Sequence, residues 1–459
     1  MTLYSGALCA CTNNILEGFP DFKITLSVLI LHCFYTCIVR AELFLFIFAS
    51  QNFKKDTGEQ KMVYEIESHA NSGNIYKFYI YFFLARLNLW LPIYVLFLLG
   101  RNFSMTQITL LDAVFWLVMV VFEVPTGAVA DKWGKKHSLI FSCILTAGGL
   151  AFFGLAKTYV FVLLAYFLWA VGVTFESGAL SAFLYDSLKK IGKEAEYSKF
   201  AGRGMSIALI ASSIGSVTAG FLGGVFLALP IFVSSVVAVV MLCIALTFKE
   251  PEIERKEKES YFTHVKESFG YSWKHPQLRT LLFFHAFTFS VLWIIGIFYQ
   301  PYLKNLGIRV EIIGVIYLFA TLLAAAGASL ASHFESIAGE SGFLISIPVI
   351  FVFSYLFMGF LHSLVAISFI FAISFFRGVY WPIISKYLNE RIPSERRVTI
   401  LSLASLMYSV IMIPSEPVFG NLADRFSLNT SIIILAVVYG IIASIIVGFW
   451  FTRCRKSDS

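Results

Sequence analysis

The sequence predicts an all-α polytopic membrane protein with twelve transmembrane helices in two pseudo-symmetric six-helix bundles. Three observations predict it. Of 459 residues, 58% are apolar and only 14% charged, with mean hydropathy +0.79; a soluble domain carries roughly 45–50% and about 25%. So much apolar surface has no water-facing core large enough to hide it. After residue 75 the apolar residues fall into twelve continuous runs, each close to the roughly 20 residues that a helix needs to cross about 30 Å of hydrocarbon. A highly charged stretch, Lys249 to Pro276, divides those runs six and six. Barrel strands would be shorter and alternating, so helices are the spanning structure these runs allow. Scarce charge, 31 Gly and 7 Cys exclude disordered, collagen-like and disulfide-scaffold classes.

In chain order the spans are expected at 76–99, 107–129, 138–156, 159–182, 200–226, 229–248, 278–300, 311–333, 342–361, 363–385, 397–418 and 429–451. Net charge is +7, and the placement of the cations matters more than their excess. Lys and Arg crowd connections 2–3, 4–5, 6–7 and 10–11 and the C-terminal tail, whereas the opposite connections hold only Arg101, Lys157, Lys304, Arg309 and Arg425. Basic residues stay on the cytoplasmic side, so both ends of the bundle are expected there, in the cell membrane. Connection 8–9 (SHFESIAGES) carries no cation and does not support the assignment.

The expected organisation is an extension 1–61, a first bundle 62–248, a linker 249–276, a second bundle 277–452 and a tail 453–459. The extension fits the pattern poorly. Ile24 to Val39 is apolar but short, ends at Arg40 and Glu42, and Cys9, Cys11, Cys33 and Cys37 all lie in this region. It lacks the charged start and small-residue cleavage site of a signal peptide. Our reading is a true start at Met62, since Thr57-Gly58-Glu59 is encodable as the ribosome-binding-like ACA GGA GAA; a genuine extra hydrophobic segment is the alternative. A shift of 200 residues sets Phe175, Gly178, Leu188, Gly220 and Leu222 on Phe375, Gly378, Leu388, Gly420 and Leu422, as a duplicated six-helix unit requires.

Between spans 2 and 3 the chain reads Gly127-Ala-Val-Ala-Asp131-Lys132-Trp-Gly134-Lys135-Lys136. A glycine there permits close helix approach, Asp131 can meet free N–H groups at a helix start, and Lys135 can reach an acid at the end of span 4, Asp186 being the candidate. This G-x-x-x-D-[RK]-x-G-[RK]-[RK] run, in this loop, resembles the loop 2–3 signature of the major facilitator superfamily. The resemblance covers the chain after about residue 75, includes Gly420 to Asp424 (GNLAD), and extends through Ser177 to Leu188 to a prokaryotic subgroup of permeases and efflux proteins. It implies that the loop cluster latches the two halves on the cytoplasmic side, and that spans 1, 4, 7 and 10 line a central cavity. There are departures. The second copy, in connection 8–9, is reduced to Ala331-Ser-His-Phe-Glu335; span 4 lacks the antiporter Arg, and span 5 lacks the Gly-Pro motif.

A charge at bilayer depth costs at least roughly 2.5–3.5 kcal/mol, so each needs a partner or a wet cavity. Arg86, Asp112, Glu123, Glu176 and Arg377 are the deep ones, with His285 beside them on span 7. Asp112 and Glu123 share a helix face with Trp116 and Met119. Arg86 has Trp90 four residues on, and Arg377 has Tyr380 and Trp381 at three and four, spacings that let a guanidinium rest on a ring. Glu123 and Glu176 are the expected proton carriers, and a structural ion pair of Arg86 with either is the alternative. Small residues recur on span 5 (Gly204, Ala208, Ala211, Gly215, Ala219) and span 8 (Ala320, Ala324, Gly327, Ala331), giving faces for close helix contact.

No G-x-x-x-x-G-K-[ST] loop is present and the longest polar segment has 28 residues, so ATP-driven transport by this chain is excluded. The expected function is alternating-access secondary transport, proton-coupled and exporting a small lipophilic or amphipathic solute, a preference suggested by the 48 Phe. Import by symport or uniport is the alternative; a membrane enzyme or receptor is a distant one. HExxH, GxSxG and metal-ligand clusters are absent, so no cofactor, metal or nucleic-acid partner is expected and the chain is taken as a monomeric permease.

Overall fold

The computed structural model describes residues 59–251, 269–393 and 396–454. Residues 1–58 of the expected extension, with its four Cys, 252–268 of the linker and 455–459 of the tail lie outside the described residues. Those described form helices without strands. Span 1 consists of α1 (Glu59–Arg86) and α2 (Tyr94–Leu99). The next five are α3 (Met105–Trp133), α4 (Lys135–Leu155), α5 (Tyr159–Lys190), α6 (Tyr197–Val225) and α7 (Leu229–Leu246). The second half contains α8 (Pro276–Asn305), α9 (Val310–Ser329), α10 (Ala331–Phe360), α11 (Ala366–Arg391), α12 (Arg397–Arg425) and α13 (Leu428–Phe449).

Span 1 is therefore not the single helix its hydropathy predicts. Pro92 offers no N–H and biases Leu91 away from helical backbone, while Asn88 adopts a left-handed φ of 46°. Tight turns replace the helix: Leu91 N donates to Asn88 O (3.0 Å) and Ile93 N to Trp90 O (3.1 Å). Connection 8–9 also departs from expectation, because its residues are helical. They form the first turns of α10 and bend at Gly339, whose φ is 62°.

Within the first half α4 packs on α5 and α7; within the second α9 packs on α11 and α10 on α13. The halves meet chiefly where α3 crosses α12 and α6 crosses α9. Small residues make both crossings possible. Gly220 of α6 lies against Gly314 and the Glu311 carbonyl of α9, and Gly420 of α12 lies against Met105 and Thr109 of α3. The two crossings are related by the 200-residue shift. Other glycines serve contacts inside each half: Gly215 lies on the Leu87 carbonyl, Gly327 on Phe375, and Gly378 on Ala324.

Candidate functional site

Backbone that leaves the helical ladder at membrane depth must line a cavity or be buried in protein. The break in span 1 does both. On one side, Arg86, Asn88 and Trp90 line a cavity of about 420 Å³ with Ser142, Thr146, Trp169 and Glu176. On the other, Leu91 and Tyr94 line a cavity of about 150 Å³ with Trp293, Gln300, Tyr317 and Arg377. Gln300, buried on α8, ties the break to the second half: its Nε2 donates to Leu91 O (2.8 Å) and its Oε1 accepts from Val95 N (3.0 Å). Two of the freed backbone groups are thereby satisfied by one side chain.

The structure places the sequence-predicted charges around these cavities in two groups. Arg86 pairs with Glu176 (3.5 Å) in the larger one. The guanidinium lies over Phe82 (4.8 Å), not Trp90, because the helix ends at Arg86 and the four-residue spacing to Trp90 no longer spans one turn. Trp90 instead meets Trp169 edge to face at 4.7 Å. Arg377 reaches the smaller cavity, within electrostatic range of Tyr299, Tyr317 and Tyr355. Its expected ring partners are engaged elsewhere: Tyr380 shares a hydrogen bond of 2.7 Å with His285 Nδ1, and Trp381 meets the His285 ring at 5.4 Å. Arg86, Glu176, His285 and Arg377 therefore do not converge on one point. Glu123 is exposed on α3, within electrostatic range of Tyr408 of α12, and faces the space between the halves.

That space is walled by aromatic rings, with Trp116 and Phe289 in contact with each other and each with Trp293 and Tyr408. It closes toward the cation-poor end, the one carrying Arg101 and Lys157. Trp116 Nε1 donates to Glu416 Oε1 on α12 (3.0 Å). Asp112, one turn from Trp116, accepts from Tyr94 (2.8 Å) and from Tyr166. At the tip, Asp424 accepts from Met105 N (2.9 Å), Thr106 N (2.7 Å) and Thr106 Oγ1 (2.5 Å). Ser104 and Gln107 already form a capping box on α3. Asp424 takes the two N–H groups that box leaves open, and does so from the other half of the molecule.

Glu416 and Gln300 escape the sequence reading. Glu416 stands in Pro414-Ser-Glu416-Pro417, near the expected end of span 11, but α12 continues through both prolines to Arg425 and buries it completely. The same rule that selects Glu176, a charge inside a span, would have selected it. Gln300 has no comparable signal, since an amide at a span's edge is unremarkable in sequence.

At the cation-rich end Lys135 pairs with Asp186, partly buried. The start of α4 is met by Glu250, which accepts from Lys135 N (2.8 Å) and Lys136 N (2.7 Å), so that this helix start takes its anion from the linker rather than from Asp131. Gly134 accommodates the approach with a φ of 100° and no side chain to obstruct the Glu250 carboxylate. The second half repeats the pair with its charges exchanged. Glu335 meets Lys386 (2.8 Å), and these two stand 200 residues after Lys135 and Asp186. Arg391 and Glu340 add a second pair at 2.7 Å. The reduced motif of connection 8–9 thus lacks cations because its partner on α11 carries them.

Residues 78–414 match the family model described as Major Facilitator Superfamily. A curated relative, an uncharacterized MFS-type transporter, YxaM, of Bacillus subtilis (strain 168), is 23% identical over 364 residues, 76% of this chain and 89% of the relative. Among solved structures, a mutant form of the nucleoside transporter NupG aligns with a TM-score of 0.72 at 13% identity, over 82% of this chain and 99% of that one. The D-xylose-proton symporter aligns at 0.65, with 13% identity over 83% and 98%. A bacterial homologue of the human lysosomal transporter Spinster, inward-facing and unoccupied, aligns at 0.62, with 16% identity over 83% and 96%.

Proposed function

Because this chain belongs to the major facilitator superfamily, and is a transporter rather than an enzyme, we propose that it is a proton-coupled exporter of a small amphipathic solute. The carrying observation is the Arg86–Glu176 pair at 3.5 Å in the wall of the larger cavity, where span 1 is interrupted. Interrupted helices at mid-membrane place backbone and charge where a substrate binds. The cavity offers Asn88, Ser142 and Thr146 for hydrogen bonding and Trp90 and Trp169 for ring contact, a mixture suited to a solute with one polar and one apolar side.

The cation-rich end is assigned to the cytoplasm of the cell, on the positive-inside rule. With the cation-poor end closed by Asp424 and the Trp116–Glu416 bond, and Glu123 exposed toward the other side, the conformation is inward-open. Glu176 carries the proton: Arg86 stabilises its charged form when near and releases the carboxyl to protonation when a solute draws the guanidinium away. Glu123, exposed on α3, passes protons to and from the cytoplasm. Export is assigned on the resemblance of Ser177 to Leu188 to permeases and efflux proteins, and the chain acts as a monomer.

The test is flux from proteoliposomes with and without an imposed pH gradient, using a solute identified by susceptibility screening of cells with and without the protein. Glu123→Gln and Glu176→Gln should lose gradient-driven flux and keep solute exchange. Unchanged pH dependence in both single variants and in the double variant would return these acids to a structural ion-pair role.

A further inference from the structure

We propose that Asp112 and Glu416 form a proton-binding site, separate from the substrate cavities, whose occupancy holds the extracellular gate shut. This rests on the transport reading above and adds to it a site at the crossing of the two halves. Both side chains are buried, Glu416 completely and Asp112 to within 3%, and α3 links them, since Asp112 stands one turn from Trp116, whose Nε1 donates to Glu416 (3.0 Å). Their surroundings supply hydrogen-bond donors but no countercharge. From α2 comes Tyr94, from α5 Tyr166, from α3 Trp116, and beyond it from α8 and α12 the rings of Trp293 and Tyr408. His285 of α8 faces Tyr380, Trp381 and Tyr408. Among the described residues neither carboxyl has an ion-pair partner.

Two ionised carboxylates cannot share such a place, because burial and mutual repulsion both oppose the second charge. The hydrogen bonds say where the proton sits. Asp112 has a hydroxyl donor on each oxygen, the arrangement that supports an ionised carboxylate. Glu416 has Trp116 on Oε1, while its Oε2 is buried with no partner among the described residues. An unpartnered carboxylate oxygen there costs more than the neutral acid, because the charge adds to the loss of solvation. A metal cation fits poorly, since it would need several free oxygens where, among the described residues, one is unengaged.

The site exists only while α3 and α12 are in contact. When they part toward the outside, water reaches both carboxyls and the proton leaves; the two like charges then oppose re-closure. Closure at the extracellular end is therefore favoured at low pH and lost as pH rises through the value at which the closed pair gives up its proton. With one proton linked, the open-to-closed ratio changes by about tenfold per pH unit across that window.

The experiment measures the distance between spin labels at Lys157→Cys and Ser363→Cys, exposed positions on the two halves at the extracellular end, in full-length protein whose own thiols are replaced. Between pH 5 and pH 9 the parent should gain a longer-distance population as pH rises. Asp112→Asn with Glu416→Gln, which keeps the shape and most hydrogen bonds, should hold the short distance at every pH; Glu416→Asp, with its carboxyl retained, should still titrate. A parent distance that does not respond to pH, or a double variant that titrates as the parent does, overturns the proposal. A transition driven by Na⁺ at constant pH and indifferent to pH overturns the proton assignment. Gradient-driven flux that fails in Glu123→Gln and Glu176→Gln but survives in the double variant together with an unaltered gate titration would refute this site alone and leave the transport reading standing.

Discussion

Removing the Asp424 carboxylate should release the closure at the cation-poor end without unfolding the bundle. Three hydrogen bonds join Asp424 to the first turn of α3, and a hydrogen bond to a charged group contributes roughly 1.5–3 kcal/mol in favourable surroundings. The site is only partly buried, and water replaces much of what Asp424→Ala removes, so the loss is closer to about 1–3 kcal/mol in total. The capping box of Ser104 and Gln107 stays in place, so α3 keeps its start and the loss falls on the contact between halves. A coupling of that size is roughly a 5- to 150-fold change in the closed-to-open ratio. Thr109, buried against Gly420 at this crossing, reports it. In a thiol-free background carrying Thr109→Cys, the initial rate of modification by a membrane-impermeant maleimide should rise by that factor in Asp424→Ala. Asp424→Asn, retaining one acceptor oxygen but not the charge, should fall between. Rates within twofold of the parent, in protein of unchanged helicity, would show that the carboxylate does not hold the gate.

At the opposite end, Lys386→Glu should abolish the Glu335 pair and lower the unfolding temperature of the protein, with Glu335→Lys/Lys386→Glu recovering most of the loss; thermal unfolding of parent, single and double variants measures this, and a double variant no better than the single one contradicts the pairing. Gly314→Leu places a side chain on the Ser216 carbonyl where α6 crosses α9, so it should cut flux more than tenfold while raising external labelling at Thr109→Cys, with Gly314→Ala intermediate; wild-type flux in the leucine variant would remove the crossing from the transport cycle.

Hydropathy makes the spans legible because each helix is solvated separately by lipid, and apolar length is a property of one segment. It averages over a break, however. Span 1 reads as continuous since Leu87, Leu89, Leu91 and Ile93 are as apolar as a helix, and only Asn88 and Pro92 betray the turn. The Arg86–Trp90 reading fails for the same reason, as it takes helical periodicity through residues that are not helical. Charges inside a span are equally legible one at a time, but their partners are not. Nothing in the local sequence tells Arg86 to prefer Glu176, or sets Asp112 beside a glutamate 304 positions later. The exchanged pair Glu335–Lys386 is hidden from any search for the same charges in the second copy; the duplicated geometry kept the salt bridge and reversed its polarity.

Span 1 is one covalent segment that answers to two bodies. Its long part, α1, is fastened to the first half by Asn74 and Lys249 and by Tyr79 and the Phe200 carbonyl, whereas α2 is held to the second half by Gln300. Rocking of the halves against each other would therefore load the seven residues between Arg86 and Tyr94 as a crankshaft, with Asn88 as the joint and the walls of both cavities at its two ends. A loosened joint there, such as Pro92→Ala or Asn88→Gly, would leave gate and cavity each able to move but out of step. The visible symptom would be leak: solute or protons crossing singly, at a fixed ratio no longer.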